Sequence, residues 1–287
     1  MNETIARMRL MILFVLCVGA VVVWILPLLA EPSAGKNLQV HFLDVGQGDA
    51  IFIQTPDGVE VLIDGGPNSS VLRELSQQMS FFDRDIDMVI GTHPDTDHIG
   101  GLIDVLQRYS VDTILTTENK GNSATAAAYK KTVGAEGADI IFARQGQVFQ
   151  LGESVTLHVL FPVNETSNIE SNTSSIILQL VYGETEVLLT GDSPKNIEEY
   201  LVGSIGSTLE SDVLKAGHHG SRTSTSELFL KKVNPEFAVI SAEKDSRYGH
   251  PHVEVTDMLF NHRVETHSTA EEGTITFESD GSTVWVQ

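Results

Sequence analysis

The sequence predicts an α/β fold, and three observations carry that expectation. Short apolar runs bounded by Gly, Asp and Asn recur from Leu38 onward, as strands do. Between them apolar residues return at helical spacing, and the two kinds of segment alternate along the chain, so helices and sheets must share layers. The 287 residues are 41% hydrophobic and 20% charged, which supports a packed core and excludes a disordered or collagen-like chain.

The first element is apolar throughout. From Leu10 to Ala30 the chain runs 21 residues without a charge, enough for a helix to cross the roughly 30 Å hydrocarbon layer of a membrane. The expectation is one transmembrane helix at 10–30. Arg7 and Arg9 precede it and Glu31 follows, which leaves residues 1–9 in the cytoplasm and exports the remainder. A cleaved signal peptide, with secretion of the soluble part, is the alternative. Its apolar region usually runs about 7 to 15 residues and ends in a small-x-small site, which Leu28-Leu29-Ala30 fits poorly and Pro32-Ser33-Ala34 somewhat better. Residues 31–37 form a polar linker, and the soluble domain occupies 38–287.

That domain opens as a β meander: Val40–Val45, Ala50–Ile53 and, after the Pro56-Asp57-Gly58 turn signal, Val59–Ile63. Further strands are expected at Met88–Ile90, Asp139–Phe142, Val155–Leu160, Ile176–Tyr182, Val187–Leu189, Val213–Ala216, Phe237–Ile240 and Thr274–Phe277. Helical spacing joins Leu102, Val105, Leu106 and Tyr109, then Ile197, Tyr200 and Leu201, and more weakly Leu228 with Lys231–Val233. The polar stretch Asn164–Ser175 reads as a surface loop for most of its length.

Charge and cysteine usage narrow the chemistry. Eighteen Lys and Arg face 39 Asp and Glu, so the net charge of −21 argues against a broad nucleic-acid face built from basic residues, while a local phosphate contact stays possible. Cys17 is the one cysteine and lies in the apolar run, so no disulfide forms within the chain and no thiolate serves a metal in the soluble part. Any metal must sit on His, Asp, Glu or Asn.

Such donors cluster. His93-Pro94-Asp95-Thr96-Asp97-His98 sets two imidazoles and two carboxylates on one strand-to-helix turn, after Met88–Ile90 and before Gly100-Gly101. A divalent cation with nitrogen and oxygen ligands needs several donors converging, and a tight turn supplies convergence without long loops. The same layout recurs where Val187–Leu189 runs into Thr190-Gly191-Asp192, and where Val213–Ala216 runs into Gly217-His218-His219-Gly220-Ser221. Ligands bind in the crevice at such strand ends. The combination points to two cations, bridged by an Asp and holding a water between them as nucleophile.

The ordered set Ile63-Asp64-Gly65-Gly66, His93-x-Asp95-x-Asp97-His98, Thr190-Gly191-Asp192 and Gly217-His218-His219-Gly220-Ser221 resembles the metallo-β-lactamase superfamily. Within it, Asp44-Val45-Gly46-Gln47-Gly48-Asp49-Ala50, the His218–Ser221 motif and Tyr248-Gly249-His250-Pro251-His252 resemble the extracytoplasmic domain of ComEC-type competence proteins, over roughly Leu38 to Val286. The resemblance implies an αββα sandwich with the metals at the edge between its halves. It implies His93 and Asp95 as ligands of one metal, Asp97 and His98 of the other, Asp192 as the bridge and His218 as the last ligand, with His219 as its less favoured substitute. The superfamily usually has His at the place of Asp95, and an anionic oxygen there moves preference from zinc toward manganese. A further His is usual some 20 residues before the bridge, where this chain offers the weaker Asn172. Asp64 is expected to orient a ligand, and His250 to donate to developing charge on the substrate.

The function expected is a membrane-anchored, extracytoplasmic hydrolase of phosphodiester bonds, a nuclease acting on DNA, with two divalent ions, zinc or manganese. Asp97 and His250 are its catalytic candidates. A single span cannot form a channel, so any role in DNA uptake needs a separate one. The alternatives are a small-molecule hydrolase of the same fold cleaving a lactam, lactone or thioester, and an anchored binding domain without chemistry.

Overall fold

The structure, a computed structural model, describes residues 7–8, 11–17, 19 and 37–287. Of the apolar run expected to cross a membrane it describes residues 11–17 and 19, helical and exposed; the rest of that run, and the linker up to residue 36, lie outside the described residues. Among the described residues no helix is long and apolar enough to span a bilayer.

Two sheets stack face to face. The first carries β1 (Leu38–Phe42), β2 (Ile51–Gln54), β3 (Glu60–Ile63), β4 (Asp85–Ile90), β5 (Ser110–Thr116) and β6 (Asp139–Phe142) side by side, with β14 (Ile275–Ser279) and β15 (Val284–Val286) added beyond β1. The second runs in order from β7 (Val148–Leu151) through β8 (Val155–Phe161), β9 (Ile177–Tyr182), β10 (Thr185–Leu189), β11 (Val213–Lys215) and β12 (Phe237–Ile240) to β13 (Glu265–Ser268). Helices α1 (Ser70–Gln78), α2 (Thr96–Ile99), α3 (Leu102–Val105) and α4 (Ala124–Glu136) cover the first sheet. Helices α5 (Lys195–Ile205), α6 (Glu227–Val233) and α7 (Val253–Asn261) cover the second, and α8 (Thr269–Glu272) follows β13.

The strand period of two builds these four layers, because successive side chains leave opposite faces and both faces are buried. Ile63 and Ile90 enter the core between the sheets with Phe42, Leu157, Leu178, Leu189 and Phe277. Their neighbours Leu62 and Val89 turn outward onto Leu75, Leu102 and Tyr129. In the second sheet Leu189 points inward while Leu188 and Leu214 meet Leu201, Leu230 and Leu259. Truncating a side chain as buried as Phe52 to Ala would cost about 3–5 kcal/mol.

Strand direction, more than strand order, gathers the donor residues. Strands β3 to β6 run parallel, as do β10 to β13, so each sheet delivers several strand ends to one rim. Asp64 follows β3, the His93–His98 turn follows β4, Asp192 follows β10 and the His218-His219 pair follows β11. The expected strands are present, and the chain adds β5, β7, β13 and β15, with helices α1, α2, α4, α7 and α8, which periodicity did not signal. The helix expected over Leu102–Tyr109 is a single α-helical turn ending at Val105, yet Leu102, Val105, Leu106 and Tyr109 are all buried. The stretch 164–175 is a surface loop for most of its length, as expected, and is tied down where Thr166, Ser174 and Ser175 are buried and Ser171 Oγ donates to Asp95 Oδ1 at 2.6 Å.

Candidate metal centre

The turn after β4 carries its donors on two short pieces. Asp95 stands extended just before α2 and makes no capping bond, while Asp97 and His98 lie on the single turn of α2 itself. Close backbone contacts hold this turn. Asp49 N–H donates to Asp97 O at 3.2 Å, Gly65 N–H to His98 O at 2.7 Å and Gly101 N–H to Gly66 O at 2.9 Å. Across the rim, His218 and His219 both adopt left-handed backbone, with φ of 50° and 55°, and Asp64 does so at 58°. Each such residue stores roughly 1–3 kcal/mol of strain, and such strain gathers where a fold must aim side chains.

Three imidazoles are aimed the same way. Nδ1 of His98 donates to Asp64 Oδ2 at 2.7 Å, Nδ1 of His219 donates to Ser241 O at 2.9 Å, and Nδ1 of His93 lies 3.1 Å from Thr92 Oγ1. A ring anchored through Nδ1 turns Nε2 toward the gap, where it can serve as a ligand once it carries no proton. The Nε2 atoms of His93, His98 and His219 are buried and have no hydrogen-bond partner, and neither has Asp192 Oδ1. Buried polar groups in proteins are as a rule satisfied, and although other buried atoms here also lack a partner, these four face one another, as the ligands of a cation do.

The spacing fits cations. His98 Nε2 lies 3.3 Å from Asp192 Oδ1, while His219 Nε2 lies 3.5 Å from Asp192 Oδ2 and 3.4 Å from Asp97 Oδ2. Bonds of about 2.0–2.2 Å at tetrahedral angles would separate ligand atoms by roughly 3.3 Å. On the other side, His93 Nε2 is 3.7 Å from Asp95 Oδ2 and 4.0 Å from Asp192 Oδ2. Asp192 thus stands between two donor groups. His93, His98 and Asp192 converge as one set, and Asp97, His98 and His219 as another.

Both members of the His pair lie near Asp192, and they differ in burial and in their contact with Asp97. His219 is fully buried and meets Asp97, whereas the His218 side chain is 27% exposed, with Nε2 3.6 Å from Asp192 Oδ2. Two successive left-handed residues send the two rings to different places, which alternation along a motif cannot reveal. Asn172 lies with its amide nitrogen 3.4 Å from His218 Nδ1. His250 stands at the rim, its ring centre 5.4 Å from that of His218 and 6.2 Å from that of His219. His41, His158, His262 and His267 lie outside these donor sets.

Charge follows the packing. Burial pushes His93 down to about 4. Burial opposes charge on His98 and His219 too, but Asp192 with Asp64 lifts His98 well above its ordinary value, and Asp192 with Asp49 and Asp97 lifts His219 to about 9. Against their own burial, Asp97 is held at about 2 by His219 and His98, and Asp192 well below the usual carboxylate range by His219 and His98. Asp95, half-buried, is pushed up by desolvation. His250 is lowered to about 4 by burial and by the neighbouring imidazoles of His218 and His219.

Two further members of this cluster do not stand out in the sequence as metal-site residues. Asp49 is 1% exposed and Lys215 fully buried, and the two are ion-paired beneath Asp192. The signal for Lys215 is a charged residue inside the apolar strand Val213–Ala216. Asp49 is visible only near the end of the Asp44–Ala50 motif.

Comparison with known proteins agrees with this architecture. The Metallo-beta-lactamase superfamily model matches residues 43–243. The chain is 32% identical to ComE operon protein 3 of Bacillus subtilis over 86% of this chain and 34% of that protein. It is 31% identical to Recombination protein 2 of Haemophilus influenzae, over 86% of this chain and 30% of that one. Competence protein ComA of Neisseria gonorrhoeae is also 31% identical, with 86% and 33% covered. The chain therefore spans about a third of the length of these relatives. Among solved structures, the metallo-beta-lactamase fold protein YhfI of Bacillus subtilis superposes with a TM-score of 0.54 at 17% identity, covering 85% of this chain and all of that one. CmlA, a diiron beta-hydroxylase of Streptomyces venezuelae, gives 0.52 at 17% identity over 83% of this chain and 53% of its own. These two likenesses speak to the fold alone. The family match spans most of residues 38–287, and the donors within it come from both halves of the sandwich: this chain belongs to the metallo-beta-lactamase superfamily.

Proposed function

We propose that the chain is a metal-dependent hydrolase of phosphodiester bonds that acts on DNA strands from a membrane anchor formed by residues 10–30. The observation that carries the hydrolytic part is the set of buried, unpartnered donor atoms on His93, His98, His219 and Asp192. Relatives named for competence and recombination support a nucleic-acid substrate. The uncharged run supports the anchor, and a separate channel would be the partner in any DNA uptake.

His93, Asp95 and Asp192 would hold one divalent cation, and Asp97, His98, Asp192 and His219 the other, with Asp192 shared. His219, not His218, completes the second set, since its Nε2 faces Asp97 at 3.4 Å. Two cations at such a centre, zinc or manganese, supply Lewis acidity and a water acidic enough to attack near neutral pH. The protein's own residues do the rest. Asp97 and Asp192 keep their carboxylates ionised well below neutral pH, so both remain acceptors throughout. His250 is a neutral imidazole at pH 7, able to give one ring N–H to a phosphoryl oxygen as charge grows there. His218 stands at the exposed edge beside Asn172 and Thr223, placed to meet substrate at the mouth. The net charge of −21 counts against tight binding of a long duplex across the surface.

Incubating labelled single- and double-stranded DNA with the purified full-length chain, with manganese or zinc, tests the proposal. Metal-dependent cleavage abolished by chelator and by Asp97→Ala is expected. A folded, metal-loaded chain that cleaves neither substrate overturns the DNA assignment.

A further inference from the structure

We propose that Lys215 and Asp49 are positioning residues of this centre: their ion pair crosses the sandwich beneath the donors and fixes Asp192 and His219 in the orientations that turn their free atoms inward. The proposal rests on the assignment of a metal centre to these donors.

The pair joins the two halves that supply the ligands. Asp49 ends the loop before β2 in the first sheet, and Lys215 is the last residue of β11 in the second. Both are buried, and Val213, Leu214 and Ala216 around the lysine are apolar and buried as well. An ammonium there is tolerated only if its protons are taken up. Besides Asp49, Lys215 Nζ donates to Gly191 O at 3.1 Å and lies 3.8 Å from Asp192 Oδ1. It therefore holds by hydrogen bond the carbonyl just before Asp192, and it sets a positive charge beside the Asp192 carboxylate without bonding it.

Asp49 works on the other side of the gap. Its Oδ1 lies 3.4 Å from His219 Nδ1, its N–H holds Asp97 O at 3.2 Å, and its carbonyl accepts from Gly66 N–H at 2.8 Å. One residue thus touches the His219 ring, the backbone of Asp97 and, through Lys215, the bridge. An apolar pair of the same volume would fill this space without desolvation cost, so filling is not what the charges add. They add direction, because most of their contacts end on a donor or on the backbone of one or beside one.

The test compares Lys215→Met, Asp49→Asn and the double variant K215M/D49N in the full-length chain. Removing both charges leaves no unpaired ion, so the double variant is expected to fold. Zinc and cobalt affinity is read by competition with a chromogenic chelator, and ligand geometry by the absorption bands of the cobalt-loaded protein. The expected result is a folded double variant that binds metal about 10- to 100-fold more weakly, with shifted cobalt bands. Its loss should equal that of either single variant, because the two residues act as one unit. A folded double variant with wild-type affinity and wild-type bands overturns the inference. So does a double variant that does not fold, since the pair would then serve chain stability. If the wild type itself binds no metal, the metal assignment beneath the inference fails first.

Discussion

The Asp64 carboxylate accepts the Nδ1 proton of His98 at 2.7 Å and is itself held by the Thr92 N–H at 2.8 Å and the Thr92 hydroxyl at 2.7 Å. The imidazole therefore cannot turn without breaking a buried, charge-assisted bond. Asp64→Ala should leave the sandwich folded but weaken metal binding about 10- to 100-fold, because the ring that serves both donor sets loses its orientation. Asp64→Asn should lose less, since Asn accepts left-handed backbone and keeps one acceptor oxygen. Chelator competition on the three proteins gives the order.

The His pair offers a sharper comparison. His219→Ala removes a buried ring facing Asp97 and should cost the chain one of two bound cations. His218→Ala removes a partly exposed ring and should keep both while slowing turnover. Metal content after gel filtration, measured beside the cleavage rate, separates the two. Equal loss of metal in both variants would contradict the assignment.

Protonation supplies a third prediction. In the metal-free chain the His219 ring has its pKa lifted to about 9, against about 6.5 for an unfolded histidine. A raised value means that the charged ring stabilises the fold fully below about pH 6.5 and that this contribution is lost as pH rises through about 9. Chelator-treated protein should therefore unfold at lower urea at pH 9.5 than at pH 6. The metal-loaded protein should lack that decline, because a bound cation replaces the proton. Metal affinity should climb over the same interval.

Gly48 sits where no other residue fits. Its φ is +133°, and a Cβ built on it would lie 2.1 Å from the Asp97 carbonyl oxygen. Gly48→Ala must displace either the Asp44–Asp49 loop or the turn carrying Asp97, at a cost of at least about 2 kcal/mol. Thermal melting should show a Tm drop of several degrees, and metal affinity should fall with it, since the displaced backbone carries a donor.

Much of the four-layer fold was legible because its central strands are apolar on both faces. Ile176–Tyr182 and Phe237–Ile240 could hardly be anything else. The missed elements lack that signature. Strand β13 reads Glu-Thr-His-Ser, and its pattern signals neither period. Helix α4 is Ala-rich and buries only Ala126, Tyr129 and Val133, so its start is marked by the Ser123 cap, whose hydroxyl accepts from Ala126 N–H, more than by periodicity. The donors of the centre stood out because carboxylates and imidazoles gathered at strand ends. What could not be read was which of two adjacent imidazoles turns inward, since that depends on two left-handed residues in succession. The Lys215–Asp49 pair was equally hidden, because its members lie 166 positions apart and meet only when the sheets stack.

Metal stoichiometry of the full-length chain tests the central claim most directly. Elemental analysis of protein purified without chelator and dialysed against zinc or manganese should give two ions per chain, falling below one in Asp192→Ala, where the shared carboxylate is gone. A folded wild-type chain that retains no metal, or an Asp192→Ala chain that retains both ions, would contradict it.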